Sequence, residues 1–153
     1  MAAPAPPTMT LLGQVMWRTI DGQLYAVFPT AMGTSRTQLN RLAINDKETT
    51  ALQLQSRNVL IRMYPNEDIE LLAAKIVRLP NLFRAFIIAS RGLFVHPCAN
   101  ECTDLTTTRF RNCMIIPGFE DDACAECVWH SDGRHCEHNT AAQASSSDDE
   151  SNA

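Results

Sequence analysis

Cysteine and histidine are both absent from the first 95 residues of this 153-residue chain. That stretch also lacks a glycine-rich phosphate loop and a crowded pair of carboxylates, so it offers no group typical of an active site or a metal site. No apolar run approaches the roughly 18 residues that a membrane-spanning helix needs. The first residues lack the charged and apolar regions of a secretory signal. We therefore expect an intracellular protein, nuclear or cytoplasmic, that is neither secreted nor inserted in a membrane.

Charge is divided unevenly along the chain. Residues 1–95 carry a net charge of +4, whereas residues 96–139 carry −5 and the tail from residue 140 carries −3. The middle segment contains three arginines and no lysine. An acidic segment with so few cations does not attract a phosphate backbone. We therefore expect no tight binding to DNA.

The first half of the chain has the patterns of a small α+β unit. Asp21 and Gly22 separate two apolar runs, and this pair supplies the positive φ angles of a tight hairpin turn. The clearest helix is "NEDIELLAAKIVRLP", with Asn66 as its expected N-cap and Pro80 as its end. A second helix is predicted in "NLFRAFIIASRG", ending at Gly92. The run "TTALQLQSRNVLIRMYP" fits a helix or a strand equally well.

Together with the six cysteines that lie between residues 98 and 136, these patterns predict a small α+β domain followed by a metal-stapled, loop-rich cysteine module, with disordered termini. Residues 1–9 are rich in alanine and proline and are expected to be disordered. Residues 10–95 form the scaffold domain, residues 96–139 form the cysteine-rich zinc-binding module, and residues 140–153 form an acidic disordered tail.

All six cysteines lie in the predicted module, with the spacing C-x3-C-x10-C-x10-C-x2-C-x8-C. Disulfides persist in oxidising compartments, which the expected location does not provide. Metal binding is favoured, because two thiolates on a tight turn can reach one tetrahedral ion. Thiolate-rich sites favour zinc, although an iron–sulfur centre takes the same ligands.

A catalytic thiol seldom lies among five others, and the H-x-E stretch of a zinc deaminase is missing, so we expect no enzyme.

Two arrangements of ligands remain open. In the favoured one, two zinc ions share all six cysteines. In the other, one zinc is bound by Cys98, Cys102, Cys124 and Cys127. The two remaining cysteines would then be free, or Cys136 would join a histidine in a second site. The predicted ligands are Cys98, Cys102, Cys113, Cys124, Cys127 and Cys136, with His130, His135 and His138 as further candidates.

The repeated pair-then-single spacing is similar to the fungal binuclear zinc cluster, in which six cysteines bind two zinc ions. That resemblance implies that Cys98 and Cys124 bridge the two ions. It further implies that Cys102 and Cys113 complete one ion, and that Cys127 and Cys136 complete the other. The basic helix by which that family reads DNA has no counterpart in the stretch "TDLTTTRFRN", where the only cations are Arg109 and Arg111.

A second resemblance covers residues 96–138. The segments "HPCANEC", "RFRNCMIIPGF", "DACAECVW" and "RHC" resemble a fungal cysteine-rich domain family of unknown function. Glu126 stands where that pattern has asparagine. The resemblance implies a fungal protein that binds zinc, and it implies no activity. The matching residues are Pro97, Cys98, Cys102, Phe110, Cys113, Pro117, Gly118, Ala123, Cys124, Ala125, Cys127, Trp129 and Cys136.

The sequence therefore predicts a structural zinc-binding protein that acts as a protein–protein interaction module. The alternative is a DNA-binding transcriptional regulator related to the binuclear cluster. A basic stripe near the cysteines would favour that alternative, and the sequence has acids there instead.

Overall fold

The computed structural model describes residues 6–30, 39–100, 102 and 107–141. Most of the residues predicted to be disordered, 1–9 and 140–153, lie outside these ranges, but Thr8 and Met9 belong to a paired strand. In the described residues, two antiparallel sheets and the helices that pack against them make up the α+β fold that the sequence predicts. None of the helices in the described ranges is long and apolar enough to cross a membrane.

The first sheet has four strands in the order β1-β2-β3-β4, and all neighbours are antiparallel. The strands are β1 (Thr8–Thr10), β2 (Gly13–Ile20), β3 (Gln23–Phe28) and β4 (Val59–Arg62). Asp21 and Gly22 connect β2 to β3 with φ angles of 52° and 79°. This confirms the predicted hairpin, because a two-residue turn of this kind needs positive φ at both positions.

The stretch "TTALQLQSRNVLIRMYP", which fitted a helix or a strand equally well, contains the end of a helix and a strand. Helix α1 spans Asp46–Leu52, and β4 follows after a short loop. The Asn45 side chain caps α1 by accepting a hydrogen bond from the backbone of Glu48. The Glu48 carboxylate in turn accepts from the backbone N–H of Ile44, the residue before the cap, and from the side-chain amide of Asn45.

Helix α2 spans Ile69–Arg78 and is capped by Asp68, whose carboxylate accepts from the backbone of Glu70 and Leu71. The predicted cap at Asn66 was therefore wrong. Asn66 has a φ of 64° and lies in a turn before the helix, so the helix begins later than the sequence suggested.

Helix α3 spans Pro80–Arg91 and begins directly after α2. Pro80 starts this helix, since a proline fits the first helical turn. Nearly every residue from Phe83 to Arg91 is buried, with Arg84 partly exposed. A helix that is buried all round needs other elements of the fold packed against each of its sides. Phe86 meets Phe28 of the first sheet edge to face at 5.3 Å, and the cysteine-containing region covers another side of the helix.

The second sheet joins the scaffold to the cysteine region. Strand β5 (Leu93–Val95) pairs with strand β6 (Cys113–Ile115), and helix α4 (Ala125–Trp129) packs against α3. One hydrophobic core runs without interruption from Leu12 to Cys136. The predicted division at residue 96 therefore separates two parts of the chain that share a core.

Candidate metal centre

Helix α4 positions two of the six cysteines. Cys124 is its N-cap residue and Cys127 lies within its first turn, so both sulfurs leave the same end of the helix. Both residues are fully buried. The backbone N–H of Cys124 donates to the sulfur of Cys136 at 3.3 Å, which ties the last cysteine to this end of the helix.

The remaining cysteines arrive from two other segments. Cys98 and Cys102 follow strand β5, and Cys113 is the first residue of β6. Because Val95 pairs with Cys113, the second sheet brings the start of this segment beside the third cysteine. Residues that are far apart in the sequence are thus brought together by one short sheet and one short helix.

The six sulfurs form two overlapping groups of four. In each group all sulfur atoms lie within 4.8 Å of one another. Cys98 and Cys124 belong to both groups. The first group consists of Cys98, Cys124, Cys127 and Cys136, and the second consists of Cys98, Cys102, Cys113 and Cys124. The rival single-zinc set, Cys98 with Cys102, Cys124 and Cys127, is not one of the groups that the described residues form.

The sulfur separations suit a tetrahedral ion better than a covalent bridge. Cys98 lies 3.8 Å from Cys124 and 3.5 Å from Cys127, and Cys102 lies 3.6 Å from Cys124. A disulfide needs about 2.05 Å, and all six cysteines are free thiols. Four thiolates at about 2.3 Å from one zinc stand roughly 3.8 Å apart. The arrangement can therefore hold metal ions.

The charges of so many neighbouring thiolates must be offset. Hydrogen bonds from the thiols of Cys102 and Cys124 lower the pKa of Cys113 to about 3. Hydrogen bonds with Cys124 and Cys127 lower the pKa of Cys136 to about 2. The pKa of Cys102 rises through its hydrogen bond with Cys113, and that of Cys124 rises through its bonds with Cys102 and other sulfurs. Because neighbouring thiolates repel one another, all six sulfurs can be ionised together only beside bound cations.

Glu126 stabilises the centre from within helix α4, although it is not a ligand candidate. Its side chain is buried, and its two carboxylate oxygens accept hydrogen bonds from the backbone N–H groups of Arg109 and Phe110 at 2.8–2.9 Å. His130 contacts the same carboxylate at 3.0 Å. These bonds fix the segment that leads into Cys113 against the helix that carries Cys124 and Cys127.

Asn100 is a second supporting residue between Cys98 and Cys102. Its amide nitrogen donates to the carboxylate of Asp132 at 2.7 Å and lies 3.7 Å from the sulfur of Cys127. An N–H aimed at a thiolate stabilises its negative charge. No local pattern indicated the roles of Glu126 and Asn100, because their partners lie far away in the chain.

The three histidines proposed as further ligands have different surroundings. His130 pairs with Glu126, and His135 pairs with Asp132 at 2.6 Å. Neither histidine belongs to a group of possible metal ligands among the described residues. His138 lies beside the second sulfur group. Burial lowers its pKa, but its hydrogen bond to the carbonyl of His96 and the nearby thiolate of Cys113 raise the pKa above its usual value overall.

Residues 85–139 match the model of a family described as a protein of unknown function (DUF3716). The matched region contains all six cysteines. It agrees with the predicted resemblance to a cysteine-rich family of unknown function, and it begins earlier than expected, within helix α3. No curated protein and no solved structure matches the chain. The part of helix α3 that supports the cysteines is thus included in the region that resembles this family.

Proposed function

We propose that the cysteine region is a structural zinc module in which two ions share the sulfurs of Cys98 and Cys124. The observation that carries this proposal is the pair of overlapping four-sulfur groups with those two residues in common. Six thiolates serve two tetrahedral ions only when two of them bridge. Four sulfurs around each ion leave no position for water, which is the pattern of a structural site and not of a catalytic one.

Zinc fits the donor set better than iron–sulfur chemistry does. Soft thiolates bind zinc, copper(I) and iron–sulfur clusters. A [2Fe–2S] or [4Fe–4S] centre takes four cysteines, and two of the six buried or half-buried sulfurs here would then lack a metal. Two zinc ions use all of them.

Native mass spectrometry of the intact protein tests the metal count. We expect two zinc ions in the wild type and the loss of at least one in Cys113→Ser, which removes a ligand of the second group only. His135→Ala is the matched control, because His135 pairs with Asp132 and belongs to no group of metal-ligating side chains among the described residues. One zinc in the wild type, fully retained in Cys113→Ser, would exclude the shared arrangement.

We further propose that the module presents a binding surface to another protein. Two shallow grooves meet beside strand β5, with volumes of about 440 and 310 Å³. They share Leu54, Ile116 and Pro117, and the first also includes Leu93. Leu93 and Leu54 are 59% and 46% exposed, so the grooves present apolar side chains beside charged ones, as interaction surfaces do.

The partner we favour is an extended, acidic protein segment with apolar side chains. The charged residues that line the two grooves are Lys47, Arg57 and Arg91 against one acid, Asp46. The lining thus has two more cations than acids in a chain whose net charge is −4, and both arginines also donate to backbone carbonyls within the fold. Complementary charge steers such a partner, and burial of the exposed leucines supplies the affinity.

Comparative affinity capture with the zinc-loaded full chain tests this surface. A true partner should bind the wild type and Leu71→Asp, and it should be lost with Leu93→Asp. Leu71 is a matched control because it is 64% exposed on helix α2 and lines neither groove. Crosslinking with peptide mapping should place an acidic, apolar segment at residues 54 and 93. A partner that binds all three proteins equally would contradict the proposal.

Duplex DNA is the less favoured partner. The resemblance to the binuclear cluster placed Arg109 and Arg111 where a DNA-reading segment would lie. Arg109 is buried and paired with Glu67 at 2.6 Å, and Arg111 lies 3.6 Å from Asp21. Two paired arginines provide few contacts for phosphates. Tight, salt-sensitive binding of the full chain in a gel-shift assay would reverse this ranking.

A further inference from the structure

A second cluster of metal-ligating side chains lies on the surface beside the sulfurs. The candidate ligand atoms of His96, Glu137 and His138 all lie within 4.8 Å of one another. The Nε2 atom of His96 is 2.5 Å from a carboxylate oxygen of Glu137, and the rings of His96 and His138 are 4.5 Å apart. From this arrangement we propose a third, solvent-open metal site for a divalent transition-metal ion.

The ring of His138 is already oriented as in known metal sites. Its Nε2 atom donates a hydrogen bond to the backbone carbonyl of His96 at 3.0 Å. Metal-ligating histidines usually donate one ring N–H to a carbonyl or carboxylate, which fixes the tautomer and leaves the other nitrogen for the metal. His138 thus has the second-layer contact that orients a ligand, and its side chain also forms a hydrogen bond with Cys113, which a metal at this site would have to displace or retain.

The chemistry of the three side chains selects the class of ion. Two imidazoles and one carboxylate suit zinc, nickel, cobalt and copper, and they do not suit calcium or magnesium, which take oxygen ligands. The side chains of His96 and Glu137 are 69% and 43% exposed. The remaining coordination positions therefore face solvent and would be filled by water, in contrast to the closed sulfur sites.

The sulfur cluster brings this site together. His96 precedes Cys98 by two residues, and Glu137 and His138 directly follow Cys136. Cys98 and Cys136 belong to the same four-sulfur group. A metal in that group joins the two chain segments, so that less conformational entropy is lost when the surface ion binds. This ordering rests on the proposed zinc cluster, and we expect the surface site to form only after the cluster is loaded.

Calorimetric titration of the zinc-loaded full chain with Ni²⁺ tests the site. The zinc content, measured first by native mass spectrometry, shows separately whether the cluster is intact. We expect one additional Ni²⁺ ion in the wild type, with affinity reduced at least tenfold in His96→Ala and in Glu137→Gln. His135→Ala is the control, because its side chain is also 69% exposed and also contacts a carboxylate.

The possible results separate the two proposals. A protein that keeps its zinc but binds no additional Ni²⁺ would overturn the surface site and leave the cluster standing. Equal Ni²⁺ affinity in the wild type, His96→Ala and Glu137→Gln would also overturn it. Weakened binding in His135→Ala alone would place the ion at another histidine and refute the assignment. Loss of Ni²⁺ binding on zinc removal, with recovery on reloading, would support the proposed order.

Discussion

The carboxylate of Glu126 binds the backbone N–H of Arg109, with both of its oxygens within 2.9 Å of that nitrogen. The side chain of Arg109 does not contact this carboxylate and instead forms a bidentate ion pair with Glu67. These contacts connect helix α4, the segment before Cys113 and the scaffold. The candidate metal centre is therefore connected to the fold through buried polar contacts in addition to its sulfurs.

Replacing Glu126 tests the first of these contacts. In Glu126→Ala the N–H groups of Arg109 and Phe110 lose their buried acceptor, and each unsatisfied group costs about 1–3 kcal/mol. We expect the free energy of unfolding to fall by about 2–5 kcal/mol, measured by urea denaturation of the zinc-loaded protein. Glu70→Ala, on the exposed face of helix α2, should change it by less than about 0.5 kcal/mol. Equal effects of the two substitutions would contradict this role.

The ion pair of Arg109 and Glu67 should be energetically coupled. The guanidinium forms two hydrogen bonds of 2.6 Å with the carboxylate and stacks 4.0 Å from the centre of the Tyr64 ring. Burial raises the pKa of Glu67, but the bond from Arg109 lowers it below its usual value overall. A carboxyl with a lowered folded-state pKa contributes its stability above the ordinary pKa near 4.5 and loses it as the pH falls.

A double-mutant cycle at pH 7 measures this coupling. The variants Arg109→Met, Glu67→Gln and their combination should give a coupling energy of about 1–3 kcal/mol. Each single substitution leaves one partner without its bond, so the double variant should be more stable than additivity predicts. Strictly additive effects would show that the two side chains do not support each other.

The elements that depend on neighbouring residues were predictable from the sequence. Asp21 and Gly22 specify their turn through their own φ preferences, and the run after Pro80 specifies a helix by its apolar positions. The spacing of the cysteines also indicated which sulfurs are grouped, through a resemblance that makes Cys98 and Cys124 the shared pair. The structure places these two in both groups.

The contacts between distant residues were not predictable. Arg109 and Glu67 are separated by 42 positions and Arg109 and Glu126 by 17, and no local pattern pairs them. Asn66 resembled a helix cap, but its φ of 64° differs from the extended backbone that an N-cap residue adopts, and Asp68 has that conformation. The burial of helix α3 on all sides also follows from tertiary packing and not from its own sequence.

Gly92 is required for the close approach of helix α3 to strand β6. A Cβ atom at this position would lie 2.6 Å from the carbonyl oxygen of Ile88 and 2.8 Å from that of Ile115. Gly92→Ala must therefore shift the backbone, and we expect a loss of about 1–3 kcal/mol in the free energy of unfolding.

Gly118 provides the comparison for Gly92. It has a φ of 82°, but a Cβ there would meet no atom within 4 Å. Gly118→Ala should cost about 1 kcal/mol, from backbone strain alone. Thermal unfolding of the two variants ranks the effects, and a larger loss for Gly118→Ala would contradict the packing described for helix α3.

Metal removal should affect the scaffold less than the cysteine module. Structural zinc contributes on the order of 10 kcal/mol of apparent binding free energy, so chelation should unfold the module. Residues 10–95 contain no cysteine or histidine, and we expect the circular dichroism of the first sheet to persist. Because the core is continuous, the remaining structure should melt at a lower temperature. Loss of all secondary structure would show that the chain is one cooperative unit, and an unchanged melting temperature would show that the shared core contributes nothing.

The shared sulfurs of Cys98 and Cys124 are the central claim, and ¹¹³Cd NMR of the cadmium-substituted protein tests them most directly. Two ions bridged by common thiolates should give two resonances of equal intensity in the tetrathiolate range. The two should also be split by cadmium–cadmium coupling through the bridging sulfurs, because coupling of this kind needs a shared ligand atom. A single resonance, or two resonances without mutual coupling, would contradict the shared cluster.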